Sequence, residues 1–308
     1  MGTRQQSNDQ GDEVMRNALK LLLPVLAAAL ASPLTLAKEG PDQYPNGAEN
    51  FMAGALPPPG HYFINYLGYY SGDYRDTQGD RVRGVSVNAT FDALRYIYVS
   101  QKKILGGDWA MHAIVPFAYQ RLHTPGGVDS SFGLGDITID PLVIGWHLPP
   151  DWHFTVGLDI YLPTGKWSRT RAGERIGANY YSLEPVVGVT YLNPRGFEAS
   201  AKLMYNIKRR NNDTDYESGN EFHMDYLVGQ HVGPWAFGLA GYYLKQTSDD
   251  RQNGQQVGDG NRGQVFAYGP AIRYQHRGMS FIATWNHETS TENRFQGNKF
   301  FFKFVTAF

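Results

Sequence analysis

The chain has 308 residues, room for one large β domain or two ordinary ones. It holds 20 Tyr, 17 Phe, 35 Gly and no Cys, a mix that favours strands and turns and excludes disulfides, thiolate nucleophiles and Cys-based metal sites. A formal net charge of −1 argues against a nucleic-acid partner, and a mean hydropathy of −0.43 excludes a bundle of transmembrane helices but not a β-barrel, in which only every second strand residue meets lipid.

Residues 1–14 are polar, and Met15 to Ala37 has the layout of a secretory leader. Arg16 and Lys20 supply the positive region, Leu21 to Ala31 the short apolar stretch, and Thr35-Leu36-Ala37 the processing site. Met15 is the expected start and Lys38 the expected mature N-terminus. The chain therefore divides into an N-terminal extension and signal peptide (1–37), a Pro-rich segment (38–59) and a repetitive β region (60–308). The Pro-rich segment has little periodicity and carries Phe51, Met52 and Leu56 ahead of Pro57, Pro58 and Pro59. Three successive prolines make a stiff stretch that cannot donate to a sheet ladder.

From Gly60 onward, twelve alternating segments are expected, near 60–70, 84–99, 109–120, 132–147, 152–163, 179–191, 196–208, 220–231, 235–246, 262–275, 279–289 and 297–308. In the seventh, Phe197, Ala199, Ala201, Leu203, Tyr205 and Ile207 share one face, while Glu198, Ser200, Lys202, Met204, Asn206 and Lys208 share the other. The second changes phase near Phe91 to Leu94, which predicts a bulge there, and Pro141 predicts a break in pairing within the fourth. Connections alternate between short turns and long polar loops at 164–178, 209–219 and 247–261. The gap 100–108 is long for its place among the short turns. Trp109, Trp146, Trp152, Trp235 and Trp285 stand near segment ends, where the lipid–water interface favours them. The last segment ends on Phe308 with Phe300, Phe302 and Phe304 on one face, a strand that needs both a neighbour and a greasy surrounding. The expected fold class is all-β: a transmembrane antiparallel β-barrel of about twelve strands in the outer membrane of a Gram-negative bacterium, with both ends in the periplasm.

Five stretches, Leu56 to Tyr62 (LPPPGHY), Gly133 to His147 (GLGDITIDPLVIGWH), Tyr161 to Trp167 (YLPTGKW), Asn179 to Tyr191 (NYYSLEPVVGVTY) and Asn211 to Tyr226 (NNDTDYESGNEFHMDY), resemble the meta-pathway phenol-degradation family of outer-membrane channels. The resemblance implies a twelve-stranded barrel, an N-terminal segment inserted in the lumen, and uptake of small hydrophobic or aromatic molecules. Thr306 departs from the usual closing signal of outer-membrane strands. On this footing Phe51, Met52, Leu56, Pro57, Pro58 and Pro59 are candidate plug residues; the alternative is a disordered periplasmic tail.

Inward phase assigns Asp136, Asp140, Asp159, Glu184, Glu198, Lys202, His223, Asp225, Arg273 and Lys303 to the pore lining, because a lipid-facing Lys or Arg at mid-bilayer costs about 2–4 kcal/mol. The alternative is a set of ion pairs that merely fills the barrel. A turn near Asp213 and Thr214 sets Lys202 opposite Asp225, and the two are expected to pair. His223, Asp225 and Ser182 or Ser200 outline a hydrolase triad, disfavoured because i and i+2 side chains on a strand stand roughly 6–7 Å apart. Asp213, Asp215 and Glu217 lack the glycine position and closing glutamate of a calcium loop. The reading is a monomeric passive channel for small hydrophobic or aromatic solutes, set in outer-membrane lipid by the barrel-assembly machinery, with no cofactor or metal; a barrel hydrolase and a structural barrel without an open path are the alternatives. Pro141 or Pro185 breaking the ladder offers a sideways exit into the membrane.

Overall fold

A computed structural model of the protein describes residues 38–308, so the leader expected over 1–37 lies outside the described residues. The strands are β1 (Gly60–Arg75), β2 (Arg81–Ile104), β3 (Gly107–Thr124), β4 (Gly127–Leu134), β5 (Thr138–Leu148), β6 (Trp152–Tyr161), β7 (Ser182–Leu192), β8 (Phe197–Lys208), β9 (Tyr216–Glu217), β10 (Glu221–Val232), β11 (Trp235–Gln246), β12 (Arg251–Gln252), β13 (Gln255–Gln256), β14 (Gln264–His276), β15 (Met279–Glu292) and β16 (Arg294–Ala307). The main sheet has 13 strands. β4 and β5 form one interrupted wall strand, so the wall is a closed antiparallel barrel of twelve. The two-residue strands β9, β12 and β13 form a separate small sheet in the long loops.

Closure is made by β1 on β16, in register from Tyr62↔Ala307 to Arg75↔Arg294. The pairing gives the last strand the neighbour its greasy edge requires. Phe300 and Phe302 are exposed on the outside, while Phe301 and Lys303 are buried inside. Leu67, Leu94, Val156, Leu158, Val187, Val228, Leu239 and Phe266 extend the outer apolar belt around the barrel. Aromatic rings cluster at the end that carries the short turns, with Trp152 5.0 Å from Tyr191 and Trp235 4.5 Å from Tyr274.

Three local expectations are corrected. The β1–β2 and β2–β3 ladders run without a break through Phe91 to Leu94; the shifts fall at Asp73/Arg75 and Val99/Lys103. The apparent phase change arises because Phe91 is an inward apolar residue, packed edge-on against Phe301 at 5.3 Å. The gap 100–108 closes to a turn at Leu105-Gly106, both at positive φ, and the strands extend to meet it. The fourth wall strand begins earlier than expected and stops over Gly135–Ile137, so Asp136 lies in a gap rather than on a strand.

Pro141 does mark an irregularity. Register shifts occur at Ala110/His112 against β3 and at Ile139/Ile144 against β6. The Asp140 carboxylate fills the seam, accepting the N–H of Leu142 and of Leu158, both at 2.8 Å. Trp109 Nε1 donates to the Pro141 carbonyl at 3.0 Å from the other side. These bonds bridge a seam in which residues 140–143 have no ladder partner on β6, and the β7–β8 ladder likewise skips Glu184 and Pro185.

Phe308 donates its N–H to the His61 carbonyl at 3.1 Å, and its ring lies exposed beside His61 and Tyr96. Deleting Phe308 is expected to lower the yield of folded barrel in outer membranes severalfold while leaving single-channel conductance unchanged. Heat-modifiable gel migration measures the first and planar-bilayer recording the second.

Candidate functional site

Residues 38–59 hydrogen-bond to inward side chains from strands around the whole circumference, which only a chain inside the barrel can do. From the end nearest β1, Gly54 donates to Thr190 Oγ1 on β7 at 2.9 Å, Met52 to Glu198 on β8 at 2.5 Å, and Asn50 to Thr284 on β15 at 3.0 Å. Gly47 and Glu49 donate their N–H groups to Asp225 on β10 at 2.7 and 3.0 Å, and the Tyr44 hydroxyl donates to the same carboxylate at 2.6 Å. Gln43 reaches Asp136 at 2.9 Å. The backbone fits closely: a Cβ on Gly54 would lie 2.4 Å from the Val189 main chain. Gly47, at φ 87°, turns the chain where a side chain would strike Tyr242.

Charge holds this segment at two levels. Glu49 lies 2.9 Å from Lys303 and 2.9 Å from Arg95, and accepts the Tyr66 hydroxyl at 2.6 Å. Farther along, Asp42 pairs with Lys38 at 2.5 Å and with Arg294, while Glu221 pairs with Lys208 at 2.7 Å, Lys38 at 3.3 Å and Arg294 at 3.4 Å. Breaking one side of such a buried pair costs about 3–5 kcal/mol, because the other charge is stranded. Phe51 sits in an apolar seat of Leu227, Ala236, Ala240, Ala271 and Ile282, level with Lys303, the cross-strand partner of Ile282. Arg273 lies over the Phe51 ring at 6.0 Å. A cavity of about 10 Å³ lined by Lys38, Asp42, Tyr44, Tyr180, Glu184 and His223 has barely the room one water needs.

The other inward residues are partnered within the wall. Glu184 accepts Tyr161 Oη at 2.9 Å and Asn206 Nδ2 at 2.8 Å, and stands 2.9 Å from His223 Nε2. Glu198 also meets His231 Nε2 at 2.5 Å. Lys202 and Asp225 are direct cross-strand neighbours, as the turn position predicts, yet the ion pair is absent. Asp225 is taken by Tyr44 and the two main-chain N–H groups; Lys202 instead lies 4.4 Å above the Tyr44 ring and 3.8 Å from Asp159. Leu56 packs on Gly145, while Pro57 is half-buried and Pro58 and Pro59 are exposed near Tyr62.

Neither triad serine meets the histidine: Ser182 donates to Gln43 at 2.6 Å, and Ser200 bonds Thr190 at 2.8 Å and Glu198 at 2.6 Å. Asp213 and Asp215 have separate partners, Asn179 and Arg210. His112, Asp140 and Asp159 bring ligand atoms within 4.8 Å of one another. Lys202 beside Asp159 already supplies positive charge there, so the donor set does not favour a metal ion. In the outer loops, burial and then the Asp250 charge push the Tyr216 hydroxyl well above the usual phenol range, which keeps it a donor to Asp250 at 2.6 Å.

The residues that the sequence reading missed are Gln43, Tyr44, Asn50, Asp42 and Glu49 on the inner segment, and Arg95, Lys208, Glu221 and Arg294 on the wall. The usable signal was inward basic residues on β2, β8 and β16 facing a stretch without periodicity that carries three acids, Glu39, Asp42 and Glu49.

A closed barrel with an apolar belt and a charge-lined interior is an outer-membrane β-barrel. The chain belongs to the family described as "Putative MetA-pathway of phenol degradation", whose model matches residues 71–304. It is similar to an outer-membrane channel of known crystal structure from Pseudomonas putida F1, at 13% identity and a TM-score of 0.75, over 84% of this chain and 99% of that one. Also similar are the β domain of the Bordetella autotransporter BrkA (12% identity, TM-score 0.47, 81% and 100% covered) and the CymD monoaromatic hydrocarbon channel (8% identity, TM-score 0.44, 89% and 98% covered). No curated protein matches.

Asp225→Ala strands one hydroxyl and two main-chain N–H groups in the interior, at about 1–3 kcal/mol each. The variant is expected to keep the barrel but to let an added protease cut within residues 38–59 at least tenfold faster, read by mass spectrometry of the digested membranes.

Proposed function

We propose that the protein is a passive outer-membrane channel for small hydrophobic or aromatic molecules, and that residues 38–59 are a displaceable plug in its lumen. The observation that carries this is the seat of Phe51. Leu227, Ala236, Ala240, Ala271 and Ile282 make an apolar patch on the inner wall, one of several there, and an aromatic ring of the chain itself occupies it. A solute of similar shape and polarity competes for that patch once the segment shifts. Two charge pairs, Arg294 with Asp42 and Lys303 with Glu49, hold the segment reversibly, since water can replace each pair as the segment leaves. The family and the fold of the channel from Pseudomonas putida F1 support a transport role.

The ten inward residues then serve two ends. Asp136, Glu198, Lys202, Asp225, Arg273 and Lys303 contact the plug, and Glu184, His223, Asp140 and Asp159 brace the wall. The bonding of Ser182 and Ser200 to other groups favours a channel over a hydrolase. The apolar belt around the closed barrel suits a barrel, read here as a monomer, set in outer-membrane lipid. The terminal Phe308 suits delivery by the barrel-assembly machinery.

Deleting residues 40–56 is expected to raise single-channel conductance severalfold, and unchanged conductance defeats the plug. Cells that carry the protein should take up labelled small aromatics faster than cells without it, with charged sugars of equal size as the comparison. Equal uptake with and without the protein defeats the channel reading.

A further inference from the structure

Asp250, in the connection between β11 and β14, is fully buried. Its Oδ1 accepts the Gly219 N–H at 2.7 Å and Gln246 Nε2 at 2.8 Å. Its Oδ2 accepts the Tyr216 hydroxyl at 2.6 Å and the main-chain N–H of Lys38 at 3.0 Å. All four donors are neutral, and among the described residues no Lys, Arg or His side chain pairs with this carboxylate. The inner segment's own carboxylates differ: Glu39 faces Arg175 at 3.7 Å, Asp42 faces Lys38 and Arg294, and Glu49 faces Lys303 and Arg95. A buried carboxylate without a counter-charge is costly. The nitrogen at 3.0 Å belongs to the Ala37–Lys38 peptide bond, where the sequence places removal of the leader.

We infer that Asp250 is the binding site for the α-ammonium group of Lys38 in the processed chain. Hydrolysis of the Ala37–Lys38 bond by a leader peptidase consumes one water, leaves a carboxylate on Ala37 and frees the Lys38 amine. That amine binds a proton near neutral pH. The atom that gives Asp250 one amide hydrogen bond then carries a positive charge and two more protons, at the same place. Processing thus creates the missing counter-ion. The uncleaved chain has no charge to offer there, so the far end of the segment locks only after the leader is gone. The Lys38 side chain adds to the lock, because its ammonium group binds Asp42 and Glu221. One residue therefore ties the outer loops, the wall and the inner segment together.

This inference rests on the reading of residues 38–59 as a luminal segment of the mature chain, and its test separates the two. Protein extracted from outer membranes is weighed intact, and its α-amine is then modified in the folded barrel with an amine-reactive acylating reagent at pH 7.5. The expected mass is that of a chain starting at Lys38, and the expected labelling in Asp250→Asn is at least tenfold faster than in the wild type. Asp249→Asn, whose carboxylate pairs with exposed Arg262 at 2.7 Å, should label as slowly as the wild type. A serine inserted between Ala37 and Lys38 leaves Asp250 intact but moves the ammonium group one residue away, and should label as fast as Asp250→Asn. Heat-modifiable migration verifies the barrel in each case, and the insertion carries the test alone if Asp250→Asn does not fold. A mature start other than Lys38, or equal labelling of the wild type and the inserted chain, overturns the inference. Slow labelling of the wild type together with unchanged conductance on deletion of 40–56 upholds the ammonium site and defeats only the gating role of the plug.

Discussion

Everything in this protein depends on the pairing of its first wall strand with its last. Backbone N–H and C=O groups in a bilayer have no water to bond, so a sheet can span only if it has no edge. The ladder from Tyr62↔Ala307 to Arg75↔Arg294 removes that edge. It also creates two solvents from one. Neighbours in the chain, such as Phe300 and Phe301 or Phe302 and Lys303, are sent to lipid and to the interior respectively. The charges of the interior are tolerable only because closure separates them from the hydrocarbon.

Once closed, the barrel has an electrostatic problem that its wall does not solve alone. Arg95 and Lys303 find their shared acid, Glu49, on the inner segment, and Arg294 finds Asp42 there. Wall carboxylates in turn need donors, and Asp225 and Glu198 obtain them from the segment's main chain. A strand would spend those N–H groups on its neighbours. The turns and glycines of residues 38–59 leave them free, which is why this stretch is irregular and still well ordered in its contacts. The arrangement holds the segment by buried ion pairs and many polar bonds around one apolar seat.

The wall was largely legible in the amino-acid order. Alternation in β8 pointed outward and inward residues correctly, because lipid and lumen impose opposite demands on successive positions. It misled at Phe91, where an inward position is aromatic and apolar because it packs on Phe301. It also hid the interruption at Gly135–Ile137, where Asp136 accepts the N–H groups of Gly165 and Ala178 from a distant loop. The candidate site was legible only in part. The acids and bases that line the interior followed from their phase, but Asp42, Tyr44 and Glu49 sit in a stretch without phase, and no periodicity marks them.

Lys202 and Asp225 mark the boundary between the two kinds of information. The length of one loop and the two-residue period of a strand put them opposite each other, and both are local properties of the chain. Whom they bind is not local. Tyr44, about 160 residues upstream of Lys202 by simple count, lies between them, takes the carboxylate with its hydroxyl and the ammonium group with its ring face. The sequence by itself determined strand, face and register, because these follow from spacing along one or two neighbouring segments. Only the tertiary structure decided the partners in the lumen, because there the competing donors and acceptors come from the whole circumference, and the best geometry among them wins.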